Sequence, residues 1–144
     1  MRRADVVLAI LASAEGQPLT PVQLQKAAFL LDRNLPDLID DGPTFHFEPY
    51  DYGPFDKAVY DEASQLAFRG LAQIDHAQWG RWYLYQASPH GLELGNALLR
   101  QLPENIVNYI GNVTSWVRSQ SFASLVKSIY DQYPEMRANS IFQG

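Results

Sequence analysis

The spacing of apolar positions divides this chain into helical stretches around a middle that breaks the helical period. From Arg3 to Ala14, Val7, Ile10, Leu11 and Ala14 recur at the spacing that lines one face of an α-helix. Glu15-Gly16-Gln17-Pro18 ends that pattern with a glycine stop and a proline beyond it. Thr20-Pro21-Val22-Gln23 predicts the start of a second helix, with Thr20 as N-cap, Pro21 in the first turn and Gln23 placed to complete a capping box. Leu24, Ala27, Ala28 and Leu31 form its predicted buried stripe, which leaves Gln25 and Lys26 facing outward.

A polar, proline-broken loop follows from Asn34 to Pro43, and Thr44 to Glu48 alternates enough for a short strand or an extended loop. Gly53-Pro54 predicts a sharp turn that opens a third helix, with Phe55, Val59, Ala63 and Leu66 buried and Gly70 as its stop. Leu71 to Ile74 predicts a short strand and His76-Ala77-Gln78-Trp79-Gly80 a loop. Arg81 to Gln86 then returns as an aromatic-rich strand. Alternation puts Arg81, Tyr83 and Tyr85 on one face of that strand and Trp82 and Leu84 on the other. Beyond it, Ser88-Pro89 opens a helix carrying Leu92, Leu94 and Leu98. Ile106, Ile110, Val113 and Val117 mark another, and Ser121 caps a last one bearing Phe122, Leu125, Val126, Ile129 and Tyr130 before Pro134.

The predicted fold is mostly α with a small β-hairpin: a winged helix-turn-helix with a C-terminal helical extension. We read 1–144 as a single domain, with 1–102 as the winged-helix core and 103–144 as helices packed on it or on a second copy, a homodimer. A minimal helix-turn-helix joins its second and third helices more tightly than this chain does. The inserted loop is therefore a departure, and long insertions often carry function.

Charge changes the functional picture. The chain has 11 basic and 16 acidic residues, a formal net charge of −5, whereas a domain that lives by phosphate contacts usually carries a basic stripe. Asp37, Asp40, Asp41, Glu48, Asp51, Asp56, Asp61 and Glu62 crowd the middle, with Lys57 the one base between Asp37 and Glu62 apart from His46. Two readings compete. The carboxylates form a surface for a basic protein partner, or they are a solvated loop with helix-start acids such as Asp56 opposing the helix dipole. The aromatics Tyr50, Tyr52 and Phe55 likewise either pin the turn to the core or anchor a partner. On the third helix, Gln65 and Arg69 suit base edges, and Lys57 and Arg81 suit phosphate or groove contacts, so the alternative function is a DNA-binding transcription regulator.

Chemistry beyond binding has little to rest on. There is no cysteine, which excludes disulfides and thiolate chemistry and fits a reducing cytoplasm. His46, His76 and His90 are scattered without metal-ligand spacing, Asp40-Asp41 lacks calcium-loop spacing, and Ser115, Ser119, Ser121 and Ser124 sit in no nucleophile motif. No glycine-rich phosphate loop occurs. The expectation is a non-enzyme with no catalytic residues, no metal and no cofactor. Asp5 and Glu15 bracket the N-terminal apolar stretch too tightly for a signal peptide, and no run reaches the ~18 apolar residues of a membrane span. The closing Phe142-Gln143-Gly144 is either native or a tag remnant and is given no functional weight.

Leu19-Thr20-Pro21-Val22-Gln23-Leu24-Gln25-Lys26-Ala27-Ala28-Phe29 resembles the Leu-Thr … Leu-Gln-Lys-Leu-Leu-Tyr opening of the SocA-like antitoxins, the Panacea-domain family. Tyr52-Gly53-Pro54-Phe55 with Val59-Tyr60 resembles that family's Tyr-Gly-Pro turn and the Val-Tyr after it, and Tyr133-Pro134-Glu135 is similar to a late Tyr-Pro-Glu segment. Ala28 and Phe29 stand where the family carries a bulkier Leu-Tyr pair, and Phe55 also departs from the pattern, so a sister family of small winged-helix proteins is the other assignment. The resemblance implies an antitoxin or related regulator that binds a protein, such as a basic toxin, without enzyme activity. The predicted partner surface is Glu48, Tyr50, Asp51, Tyr52 and Phe55; the alternative DNA surface is Lys57, Gln65, Arg69 and Arg81.

Overall fold

A computed structural model describes residues 1–78, 80 and 82–143. Helix α1 (Arg3–Ser13) is the centre of the fold, because every residue from Val6 to Ala12 is buried. The expectation of an amphipathic first helix is corrected here: α1 is apolar almost all round, as a helix must be when neighbours cover every side. Those neighbours are α2 (Pro21–Asn34), α3 (Lys57–Phe68), α4 (Pro89–Arg100) and α5 (Glu104–Ser119). The remaining helix, α6 (Phe122–Gln132), packs on α2, and a short 3₁₀ turn, Pro134–Arg137, follows it. The chain is thus mostly helical, with two small antiparallel sheets. No helix among the described residues is long and apolar enough to cross a membrane.

Local chemistry sets where the helices begin. The predicted capping box at Thr20 is present: the Gln23 amide donates to Thr20 Oγ1 at 3.3 Å, and the Thr20 amide donates to Gln23 Oε1 at 2.9 Å. Ser88 and Ser121 likewise accept from the backbone amides of Gly91 and Ser124. Gly53-Pro54 does not start a helix. Strand β1 (Glu48–Tyr50) and strand β2 (Gly53–Phe55) form a hairpin with Tyr50 opposite Gly53 and Pro49 opposite Pro54. The helix begins only at Lys57, because the Asp56 carboxylate accepts from the Ala58 amide at 2.8 Å. Phe55 therefore belongs to a strand, while Val59, Ala63 and Leu66 keep the buried helical face.

Strand β3 (Ala72–His76) pairs with β4 (Tyr83–Ala87), and Leu19 exchanges two backbone hydrogen bonds with Tyr85, tying the loop before α2 to the second hairpin. Tyr85 is buried there while Tyr83, nearer the tip, is half exposed, so the face shared by alternation is only partly covered. Trp79 and Arg81 lie outside the described residues. The C-terminal helices pack on their own chain: Ser13 Oγ donates to Thr114 Oγ1 at 2.7 Å, and Arg118 Nε donates to the Pro18 carbonyl at 3.2 Å.

Candidate functional site

Helix α2 departs most from its predicted pattern. Eight consecutive residues from Leu24 to Leu31 are buried, and Gln25 and Lys26 point inward rather than outward. A buried polar group must find a partner, and both find the junction between β2 and α3. Gln25 Nε2 donates to the Asp56 carbonyl at 2.9 Å, and the Asp56 amide donates back to Gln25 Oε1 at 3.1 Å. Lys26 Nζ donates to the Pro54 carbonyl at 3.0 Å. Lys26 is only 2% exposed, and burial lowers its pKa to about 7. None of the ion pairs among the described residues includes it.

Above these two side chains opens a predominantly apolar cleft of about 750 Å³, of the size that takes a small ligand or a few side chains. Its walls come from the start of α2, the β1–β2 hairpin, Tyr60 of α3, Trp82 and the α5–α6 junction. One wall is an aromatic ladder running inward. Tyr50 stacks on Phe55 at 5.1 Å, Phe55 meets Tyr60 edge-on at 5.8 Å, and Tyr60 stacks on Tyr85 at 5.7 Å. Burial and the neighbouring Tyr85 hold the Tyr60 hydroxyl above the usual tyrosine range. On the other wall Tyr52 meets the ring of Phe122 edge-on at 5.0 Å. Tyr50 and Tyr52 are 54% and 39% exposed, so neither is merely a pin holding the turn to the core.

The hairpin is held from behind. Ile141 donates its amide to the Asp51 carbonyl at 3.0 Å, and Ser140 Oγ donates to the same oxygen at 3.2 Å. Tyr130 donates its hydroxyl to Ser140 Oγ, and Phe142 packs near Phe122 and Tyr130. Phe142, which the sequence left without weight, therefore packs behind the cleft wall that Phe122 forms.

Of the predicted partner surface, Tyr50, Asp51, Tyr52 and Phe55 line this cleft, whereas Glu48 is exposed on β1 and is not among the lining residues. Lys26, Gln25, Tyr60, Trp82 and Phe122 belong to it and were missed. Nothing local marks them, since each reaches the cleft through contacts distant in sequence. The proposed acidic surface is dispersed. Asp40 pairs with the N-terminal amine, Glu62 with Arg3 at 3.4 Å and Asp61 with Lys57 at 3.5 Å, while Asp56 caps α3 and accepts from the His46 amide. Of the DNA candidates, Gln65 on α3 and Arg69 at its C-cap are exposed beside Phe68, which is 89% exposed, and Lys57 is engaged with Asp61. Arg81 lies outside the described residues. No three His, Asp or Glu side chains among the described residues come together as a metal site. No protein-family model matches this chain, and no curated protein matches it.

Proposed function

We propose that this chain is a non-enzymatic cytoplasmic regulator that acts by gripping a protein partner in the aromatic cleft, in the manner of an antitoxin. The carrying observation is that four of the five residues expected to form the contact surface meet in one apolar cleft. Aromatic side chains at the rim of a desolvated pocket are the usual anchors of protein interfaces. Glu48 and Asp51 stay outside the ion pairs found among the described residues, so carboxylates remain at the rim for a basic partner. The frame fits a winged helix-turn-helix, with α1, α2 and α3 followed by the β3–β4 wing, which Leu19 ties to the start of α2.

The test uses the product of the reading frame next to this gene. Tyr52→Ala and Phe122→Ala should each weaken its binding by about tenfold or more, and should lose neutralisation if that product is toxic. Unchanged binding by both variants would remove the cleft from the interface.

DNA binding is the second reading, favoured by the exposed Gln65 on α3 and Arg69 at its C-cap. A 20-base-pair duplex at about 50 mM salt should show no retention of this protein. Salt-sensitive binding that falls in Arg69→Ala would instead put DNA in the partner's place.

A further inference from the structure

Lys26 is the least expected group in the cleft. An ammonium has three N–H donors, and among the described residues one of them is used, on the Pro54 carbonyl. Taking a charge out of water without an opposite charge is costly, and no carboxylate pairs with this one among the described residues. Asp51 is the one carboxylate residue among those lining the cleft, and it sits on the hairpin turn rather than against Lys26. Meanwhile the first turns of two helices, Pro21-Val22 of α2 and Phe122 of α6, open onto the same space, and helix N-termini favour negative charge. The cleft is therefore apolar along its walls, with the Lys26 amine buried among its lining residues and two helix starts facing it.

The amine also lies deep. A methyl group added to Gly53 would meet the Tyr130 ring at 3.3 Å, Lys26 Cε at 3.6 Å and Nζ at 3.7 Å, so the hairpin roofs the lysine. A segment passing through the cleft would have to dip beneath the hairpin and come out again. A chain end need only reach in.

We infer that the partner enters this cleft by its C-terminus, with an apolar or aromatic last side chain against Tyr52 and Phe122 and its terminal carboxylate on Lys26. This rests on the cleft being the partner site, as proposed above. It joins the carboxylates left at the rim to the cation at the base: a basic protein can bring both its surface charge and its terminal carboxylate.

The probe is an acetylated tetrapeptide ending in phenylalanine, prepared as the free acid and as the C-terminal amide, and titrated into the full chain by calorimetry. The acid should bind at least about tenfold more tightly than the amide. Lys26→Met, which keeps the length of the side chain and removes its charge, should bring the two forms level. Equal binding of acid and amide by the wild type, a preference that survives in Lys26→Met, or no binding of the acid up to about 1 mM would each overturn the inference. The comparison of acid with amide needs no variant, so it stands even if Lys26→Met folds poorly. Equal binding of both forms, weakened by Tyr52→Ala, would leave the cleft as the partner site and remove only the carboxylate. The failure of the one reading is thus distinct from the failure of the other.

Discussion

Raising the pH from about 7 to about 9.5 will stabilise the wild-type chain by about 3 kcal/mol more than it stabilises Lys26→Met. The cause is the buried amine. In the unfolded chain a lysine holds its proton up to about pH 10.4, whereas in the fold burial lowers the Lys26 pKa to about 7. Between those values the unfolded state binds more protons than the folded state, so stability increases with pH, by at most about 1.4 kcal/mol per unit for one proton. The contribution is present in full above the unfolded value and is lost as the pH falls towards the folded one. Above about pH 10 the trend reverses, because Tyr60 is held above the usual tyrosine range while the same residue ionises in the unfolded chain. Urea midpoints at the two pH values, read on wild type and on Lys26→Met, isolate the lysine from every other titrating group. A pH gain equal in both proteins would mean that Lys26 is hydrated and keeps its charge throughout this range, and it would no longer be a buried amine at the base of the cleft.

This prediction also bears on function. Replacing a buried charge by an apolar side chain of similar shape is often neutral or stabilising, so stability alone gives no reason for a lysine at this position. What it does provide is a donor to the Pro54 carbonyl and a potential cation at the base of an apolar cleft. A buried lysine that lines an apolar cleft is where a binding role is expected.

The helix starts were legible because their signals are local. Thr20-Pro21-Gln23, Ser88-Pro89 and Ser121 each place a side-chain acceptor next to free backbone amides, and each begins a helix in the structure. Gly53-Pro54 misled because proline at a first helical turn and proline in a short edge strand look alike in sequence. Asp56, three residues later, is the group that caps the helix. Gln25 and Lys26 misled for a different reason. Helical spacing sorts residues by polarity, but the partners that let these two go inside, Pro54 and Asp56, lie about thirty residues away. The aromatic turn was found because its four residues are nearly contiguous. Trp82 and Phe122 complete the cleft only after the second hairpin and α6 have docked. The carboxylates were overrated because sequence proximity was taken for a shared surface, and folding sends several of them to separate partners.

The sharpest test of how α4 carries the second hairpin is a pair of identical substitutions with opposite outcomes. Gly91 lies in the first turn of α4, and a Cβ there would fall 1.7 Å from the Leu71 carbonyl oxygen and 2.6 Å from the Leu71 carbonyl carbon. Both atoms are backbone, and the same stretch is fixed by Ser88, whose amide donates to the Leu71 carbonyl and whose hydroxyl donates to the Gly70 carbonyl at 2.6 Å. Nothing there can swing aside, so Gly91→Ala must push α4 away from the start of β3. Overpacking of this kind costs about 3 kcal/mol, and it should also loosen the hairpin that carries Trp82 to the cleft. Gly111 is inside α5, where an added Cβ meets nothing within 4 Å. Gly111→Ala should therefore gain about 0.5–1 kcal/mol from helix propensity and the reduced freedom of the unfolded chain. Denaturant midpoints for the two variants should move in opposite directions around the wild type. If Gly91→Ala proves neutral, α4 does not rest on the Leu71 backbone, and the seat of the hairpin beside the cleft lies elsewhere.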